Sequence, residues 1–466
     1  MRGTMQLFEL GAVESAKEIR DGKLTSRELT EGLIGRIKAV DGAIEAWQYI
    51  DFDHAREQAA RADALFKKSG PRSALHGVPI GIKDIYDTAD APTEYGTPIY
   101  AGRRPEKDSA VVALLRDAGL VILGKTVTTE LASYTPGKTR NPFDAARTPG
   151  GSSSGSAAAV AAGMVAIATG SQTYGSVTRP ASYCGVVGYK PTFGCISRHG
   201  VLNQSAQLDH LGVFSRHLED AAAVTRLLMR ADRNDLDMLD YEVIEQIAEN
   251  LASPPVFTRP RIGFIRTAAW DRVGPSAQRS LEALVDSLSP YAKEARLPRS
   301  FADAEACIVT LMEVDMAKNY SKEYAYDRDG VRLSDMIRRM IEDGMRFDHD
   351  KQQWALRLRE VLSRELTFVF NDFDALLAPA TEDVAPRGLS STGNPVFSAI
   401  GTLCRTPTLS LPLLSGENGL PMGVQLICPW GQDAKLFGIA RWLTDFMKSQ
   451  PTAWHAAPIT PATASD

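Results

Sequence analysis

Pro149-Gly-Gly-Ser-Ser-Ser-Gly-Ser156 runs directly into Ala157-Ala-Ala-Val-Ala-Ala-Gly-Met-Val-Ala-Ile-Ala168, and the reading of this junction decides the fold. A Ser/Gly block alone is a flexible linker, but linkers rarely feed a long apolar segment. The small side chains of 157–168 predict a tightly packed helix. A glycine-rich turn at a helix start points backbone N–H groups at a ligand. A phosphate loop would end in Gly-Lys-Ser/Thr, which this block lacks. Gly151-Ser-Ser-Ser-Gly155 formally matches G-x-S-x-G and would make Ser153 the nucleophile of a Ser-His-Asp hydrolase. That motif needs a strand directly before it, and 140–149 does not read as one.

Upstream, Leu29, Leu33, Ile34 and Ile37 recur at helical spacing within 25–40, with Thr25 or Ser26 as the cap. A second helix is predicted over 53–68. Gly77-Val-Pro-Ile-Gly-Ile-Lys83-Asp-Ile-Tyr86 is a β-rich apolar run with one lysine in its middle. A helix over 110–118, closed by Gly119, then leads into the strand Leu120-Val-Ile-Leu-Gly124. This alternation is that of an α/β layer fold. Downstream, 220–370 reads as mainly helical, most clearly at 220–229, 276–288 and 352–370, with a solvated charged face over 323–339. Strands return at Ala375-Leu-Leu-Ala-Pro379, Thr408-Leu-Ser-Leu-Pro412 and Gly423-Val-Gln-Leu-Ile-Cys428, and a last helix is expected at 435–447. With apolar strands on both sides, the helical middle reads as an insertion on one sheet. The tail after His455 is expected to be frayed.

Length and composition bound the function. The 466 residues would fill about three domains of ~150 residues each, yet no linker separates autonomous halves. With 44% hydrophobic and 23% charged residues, the chain has the composition of a folded protein. A net charge of −5 without basic runs disfavours nucleic-acid and anionic-membrane partners. Five scattered cysteines with no CxxC pair fit a reducing compartment. No apolar run reaches the ~20 residues of a membrane span, and no signal peptide is visible. A cytoplasmic, soluble protein is expected. The seven histidines show no ligand-like spacing, so no metal and no cofactor is expected.

A third segment, Gly170-Ser-Gln-Thr-Tyr-Gly-Ser176-Val-Thr-Arg-Pro180, is another small-residue turn with serine at its centre. With Lys83 and Ser152 it offers a nucleophile, a relay hydroxyl and a base without any histidine. Burial disfavours the charged form of a lysine and so makes it a usable base near neutral pH. On spacing alone, a lysine paired with Asp84 or Asp87 stays open beside that reading.

These residues resemble the amidase signature enzymes. His76-Gly-Val-Pro-Ile-Gly-Ile-Lys83-Asp is similar to the family's lysine strand, 150–163 to its serine-glycine loop, and 170–191 to its nucleophile segment. The resemblance extends over 110–130, Asn141-Pro-Phe-Asp144, 208–216, 376–379 and 420–427. The resemblance implies a single large α/β domain over 1–466, with a central mixed twisted sheet covered by helices on both faces. Its parts would be an N-terminal helical segment (1–70), the signature core (71–218), a helical substrate-shaping insertion (219–374) and C-terminal strands with a helix (375–455). It also implies that Ser176 is the nucleophile, Ser152 a relay on a cis peptide bond, and Lys83 the base. The backbone N–H groups of Thr173, Tyr174, Gly175 and Ser176 would form the oxyanion hole. Gly151, Ser153, Tyr174 and Gln172 are the expected substrate contacts.

The nucleophile segment departs from the family's common Asp-Thr-Gly-Gly-Ser-Ile-Arg. Gln172 replaces the aspartate, Tyr174 the first glycine and Thr178 the arginine, with Arg179 one position later. These changes bear on any transfer of substrate from the best-known members, and, with no partner-subunit feature and no charge suited to an RNA-bound complex, the glutamine-hydrolysing component of the tRNA-dependent amidotransferase is not expected. The expected activity is C–N cleavage of small amides, aryl amides and carbamates (urethanes), with biuret or allophanate hydrolysis, an esterase at Ser153, and a non-catalytic binder as alternatives. The expected partner is a small-molecule amide or carbamate, and a homodimer is left open.

Overall fold

Apolar runs from the two sides of the helical middle pair with each other in a single sheet. The computed structural model describes residues 6–448; the tail after His455 lies outside them. The strands are β1 (Trp47–Ile50), β2 (Pro79–Lys83), β3 (Val121–Thr126), β4 (Ile167–Gln172), β5 (Val187–Lys190), β6 (His210–Ser215), β7 (Ile262–Phe264), β8 (Ala292–Glu294), β9 (Ala375–Pro379), β10 (Thr408–Ser415) and β11 (Pro421–Ile427). They lie in the order β1-β3-β2-β4-β6-β5-β10-β11-β9-β7-β8. The two halves join where Thr408 pairs with Lys190 and Ser410 with Gly188.

Every residue of β2, β3, β4, β6 and β9 is buried, as in strands covered on both faces. The helix Ser26–Ile44 packs Leu29, Leu33, Ile34 and Ile37 into one apolar cluster with the helix Ser154–Ala161. Thr25 caps its first turn, accepting from the Glu28 N–H at 3.1 Å. The larger cluster, on the other side, includes Ile80, Ile82, Val213, Leu377 and Leu426. All five cysteines are buried thiols without disulfides. Among the described residues, no helix is long and apolar enough to cross a membrane.

Three readings of the sequence need correction. The stretch 157–168 is not one helix: the helix ends at Ala161, Gly163 turns the chain at φ +72°, and β4 begins at Ile167. Alanine and valine suit either element, so composition could not mark the break. The helical middle also supplies β7 and β8: β7 pairs in parallel with β9 on one side and with β8, the edge strand, on the other. The charged stretch 323–339 is not wholly a solvated face. Glu323 is buried and accepts from the Tyr100 hydroxyl. Asp327 is buried, accepting three backbone N–H groups and pairing with Arg338.

Beside the lysine strand lies a buried ion pair, Lys125–Asp84, at 3.1 Å. Burial pushes the Asp84 carboxyl up to about 6, against the pull of Lys125. Lys125→Met would strand that carboxylate, and a loss of about 3–5 kcal/mol in denaturant unfolding is expected. Lys125→Met combined with Asp84→Leu should recover most of it.

Candidate active site

β2 and β4 run parallel, with Ile80 opposite Ile167 and Gly81 opposite Ala168. Their carboxyl ends therefore emerge on the same side of the sheet, where α/β folds place their sites. Lys83 closes β2, and Ser171 and Gln172 close β4. Between these strands in sequence, 149–153 turns into the helix Ser154–Ala161.

Lys83 is fully buried. Its Nζ lies 2.7 Å from Ser152 Oγ and 2.8 Å from Ser171 Oγ, and its backbone N–H donates to Thr169 Oγ1 at 2.9 Å. Neither carboxylate weighed as its partner takes it: Asp84 pairs with Lys125 and Asp87 with Arg103. Burial therefore holds the amine well below the usual lysine range, opposed only by the field of Asp209. That leaves a neutral nitrogen with a lone pair.

The Gly151–Ser152 peptide bond is cis. Thr129 N–H donates to Ser152 O at 3.1 Å, and Arg179 Nη2 donates to Gly151 O at 2.7 Å. Gly150 precedes them at φ +83°, where a Cβ would meet Pro180 Cα at 2.8 Å. The turn is thus tied directly to the helix Thr178–Tyr183, which begins two residues after Ser176.

Ser176 sits in a tight turn between β4 and that helix. Gln172 braces the turn: its side-chain oxygen accepts from the N–H groups of Val177 (2.9 Å) and Thr178 (3.0 Å), and its amide donates to Thr402 at 3.1 Å. Thr402 in turn donates to Tyr174 O at 2.9 Å. On the other flank, the Thr173 hydroxyl donates to the buried Asp209 at 2.6 Å. A Cβ on Gly175 would lie 2.9 Å from Pro395 Cβ and from Ser398 Oγ, so glycine lets the turn seat against that wall. Among the described residues, the backbone N–H groups of Thr173, Tyr174, Gly175 and Ser176 donate to no acceptor. Among the described residues, no side chain hydrogen-bonds the buried Ser176 hydroxyl. The structure thus gathers Lys83, Ser152 and the free N–H groups on one side of the sheet.

The expected substrate contacts divide. Gly151 lies in the turn, and the Tyr174 hydroxyl is buried without a hydrogen-bond partner among the described residues. Gln172 is a correction: it is buried, its side-chain oxygen is taken by the Val177 and Thr178 N–H groups and its amide by Thr402, so it braces the turn that carries Ser176. Gln172→Leu, of similar size but unable to accept, should cost about 2–3 kcal/mol in thermal or denaturant unfolding by stranding buried N–H groups. Ser153 is also turned away, its hydroxyl shared with the backbone of Ser171 at 3.3 and 3.4 Å. Among the described residues, no histidine bonds to Ser153, no strand leads directly into it, and no group of His, Cys, Asp or Glu could hold a metal ion. The sequence reading missed Ser171, Asp209 and Thr402. Polar residues at strand ends and in loops carry no period, and only the similarities over 170–191 and 208–216 covered two of them, Ser171 and Asp209, without giving either a role.

Residues 28–437 match the family described as Amidase. The A-type component of glutamyl-tRNA(Gln) amidotransferase from Anaeromyxobacter sp. (strain K) is 33% identical, over 94% of this chain and 96% of that protein. Among solved structures, the peptide amidase of Stenotrophomonas maltophilia superposes with a TM-score of 0.82 at 26% identity, covering 98% of this chain and 99% of its own. A chain of an inhibitor-bound vestigial protein complex, described as revealing the evolutionary origins of an s-triazine catabolic enzyme, gives 0.84 at 26%, covering 96% and 99%. With that match across most of its length and with this sheet, the chain belongs to the amidase family, as a hydrolase acting on C–N bonds.

Proposed function

We propose that the protein is a serine amidase that cleaves small uncharged amides, aryl amides and carbamates among them, through an acyl-enzyme on Ser176. The observation that carries this reading is the Lys83 amine, buried without a carboxylate and 2.7 Å from the Ser152 hydroxyl. A neutral amine can accept the Ser152 proton as Ser152 accepts the one from Ser176, whose Oγ bonds to the substrate carbonyl carbon. The negative charge then on the carbonyl oxygen meets the free N–H groups of 173–176, where losing one donor costs ~3–4 kcal/mol. As the C–N bond breaks, the proton returns from Lys83 through Ser152 to the leaving nitrogen. Water, deprotonated along the same relay, then cleaves the Ser176 ester. For a carbamate, the alkoxycarbonyl group released by water breaks down to an alcohol and carbon dioxide.

The part of the chain read as shaping the pocket, 219–374, packs over the loop that follows β3. Tyr320 donates to Leu131 O at 3.1 Å, and Ser334 bonds Thr135 at 2.6 Å. That cover and the Tyr174 ring favour an uncharged substrate with an aromatic or aliphatic body. The test is a panel of a nitroanilide, a tolyl carbamate, biuret and glutamine. Turnover of the first two is expected, and activity on biuret or glutamine alone would sink the substrate assignment. The likeness to an amidotransferase component over 96% of its length supports glutamine as the second reading, which the same panel decides.

A further inference from the structure

Lys83 has two hydroxyl neighbours, and the acyl-transfer reading uses only one of them. Ser171 Oγ accepts from Nζ at 2.8 Å, and among the described residues no acceptor takes the Ser171 proton. Ser171 also forms part of the wall of a cavity of about 220 Å³, together with Thr173, Asp209, Gln204 and Arg198. The outer wall includes His199, Asn203 and Leu236, all exposed. Lys83, Ser152 and Ser176 are not among the lining residues. The cavity therefore leads from solvent to the hydroxyl behind Lys83; it touches the turn that carries Ser176 at Thr173 but is not lined by Ser176 itself.

We propose that this cavity is a rear water port for the base, and that Ser171 is a positioning residue linking the port to Lys83. The inference rests on the reading of Lys83 as the base. A neutral amine has two N–H bonds and one lone pair. With one N–H engaged by Ser171, the lone pair is turned toward Ser152, where the relay needs it. The same contact moves protons. When Lys83 is charged, an Nζ–H bond breaks as a new Oγ–H bond forms on Ser171, whose original proton passes to cavity water; protonation runs the reverse course. The base can thus equilibrate with solvent while substrate or an acyl group closes the front. The charges around it are few. Asp209 acts on Lys83 through its field, while Asp84 and Lys125 on the neighbouring elements are held by each other.

Two experiments test the port. Ser171 stabilises an ammonium more than an amine, so Ser171→Ala should shift the acid limb of kcat/KM about one unit to lower pH, with KM unchanged and kcat reduced about tenfold. Ser171→Thr, which keeps the hydroxyl, should return the limb. A packing role would leave the limb in place and make the bulkier threonine the worse variant, which overturns the positioning role. Separately, Ser171→Cys should be labelled by methyl methanethiosulfonate equally fast before and after Ser176 is capped with a fluorophosphonate, and Asn203→Trp should slow that labelling about tenfold by narrowing the mouth. If capping Ser176 abolishes the labelling, the cavity belongs to the substrate cleft and the port is wrong. Failure of the fluorophosphonate to cap Ser176 in the wild type would instead remove the acyl-enzyme reading on which the port rests.

Discussion

Ser176→Ala is expected to lower turnover of every amide and carbamate substrate by ~10⁵-fold, the scale on which loss of a nucleophile operates, and to abolish fluorophosphonate labelling. The fold should be unchanged, because no side chain of the described residues bonds the Ser176 hydroxyl and the turn is held by Gln172, Thr402 and the Thr173–Asp209 contact. The discriminating control is Ser153→Ala. Its hydroxyl meets only the Ser171 backbone, so labelling and most of the turnover should survive. The opposite pattern, with Ser153→Ala dead and Ser176→Ala labelled, would return the chain to the Ser-His-Asp reading.

Lys83→Ala is the second large effect, a fall of ~10³–10⁴-fold in kcat with KM little changed, as for the loss of a positioned base. Combining it with Ser176→Ala should add little, since residues that act as a unit are not additive. Lys83→Arg should be equally inactive, because a guanidinium never offers a lone pair. The direction of the pH profile follows. Only the neutral amine can accept a proton, and burial holds Lys83 well below its ordinary range. Activity should therefore rise with pH through the Lys83 titration and reach its plateau well below the pH at which an exposed lysine would deprotonate. An acid limb at the ordinary lysine position would contradict the burial argument.

Much of this was legible in the sequence because it was written in strong, local signals. A lone lysine in Val-Pro-Ile-Gly-Ile-Lys83 is conspicuous, since an unpaired charge in an apolar strand is costly. Two serine-glycine turns on the carboxyl side completed the group, and the apolar runs at 375–379, 408–412 and 423–428 became β9, β10 and β11. The misses have equally physical causes. Three-residue strands such as Ile262–Phe264 are too short to show a period of two. Glu323 and Asp327 look like surface charges until their partners, Tyr100 and Arg338, are folded against them. Gln172 read as a substrate contact because a one-letter departure at the nucleophile segment draws attention to the ligand. Its bonds go to backbone N–H groups a turn away and to Thr402, a contact across 230 positions that no local pattern reveals.

That separation bears on how the protein is made. The nucleophile turn and its supports are held by Thr402, Ser398 and Gly393, which stand 230, 220 and 214 positions after Gln172, Thr178 and Arg179. A nascent chain emerging from the ribosome carries Lys83, Ser152 and Ser176 long before any of those braces exist. Contacts so remote in sequence form late and slowly. Amide-cleaving competence should therefore appear only when β10 closes onto β5, with β11 paired along its other edge.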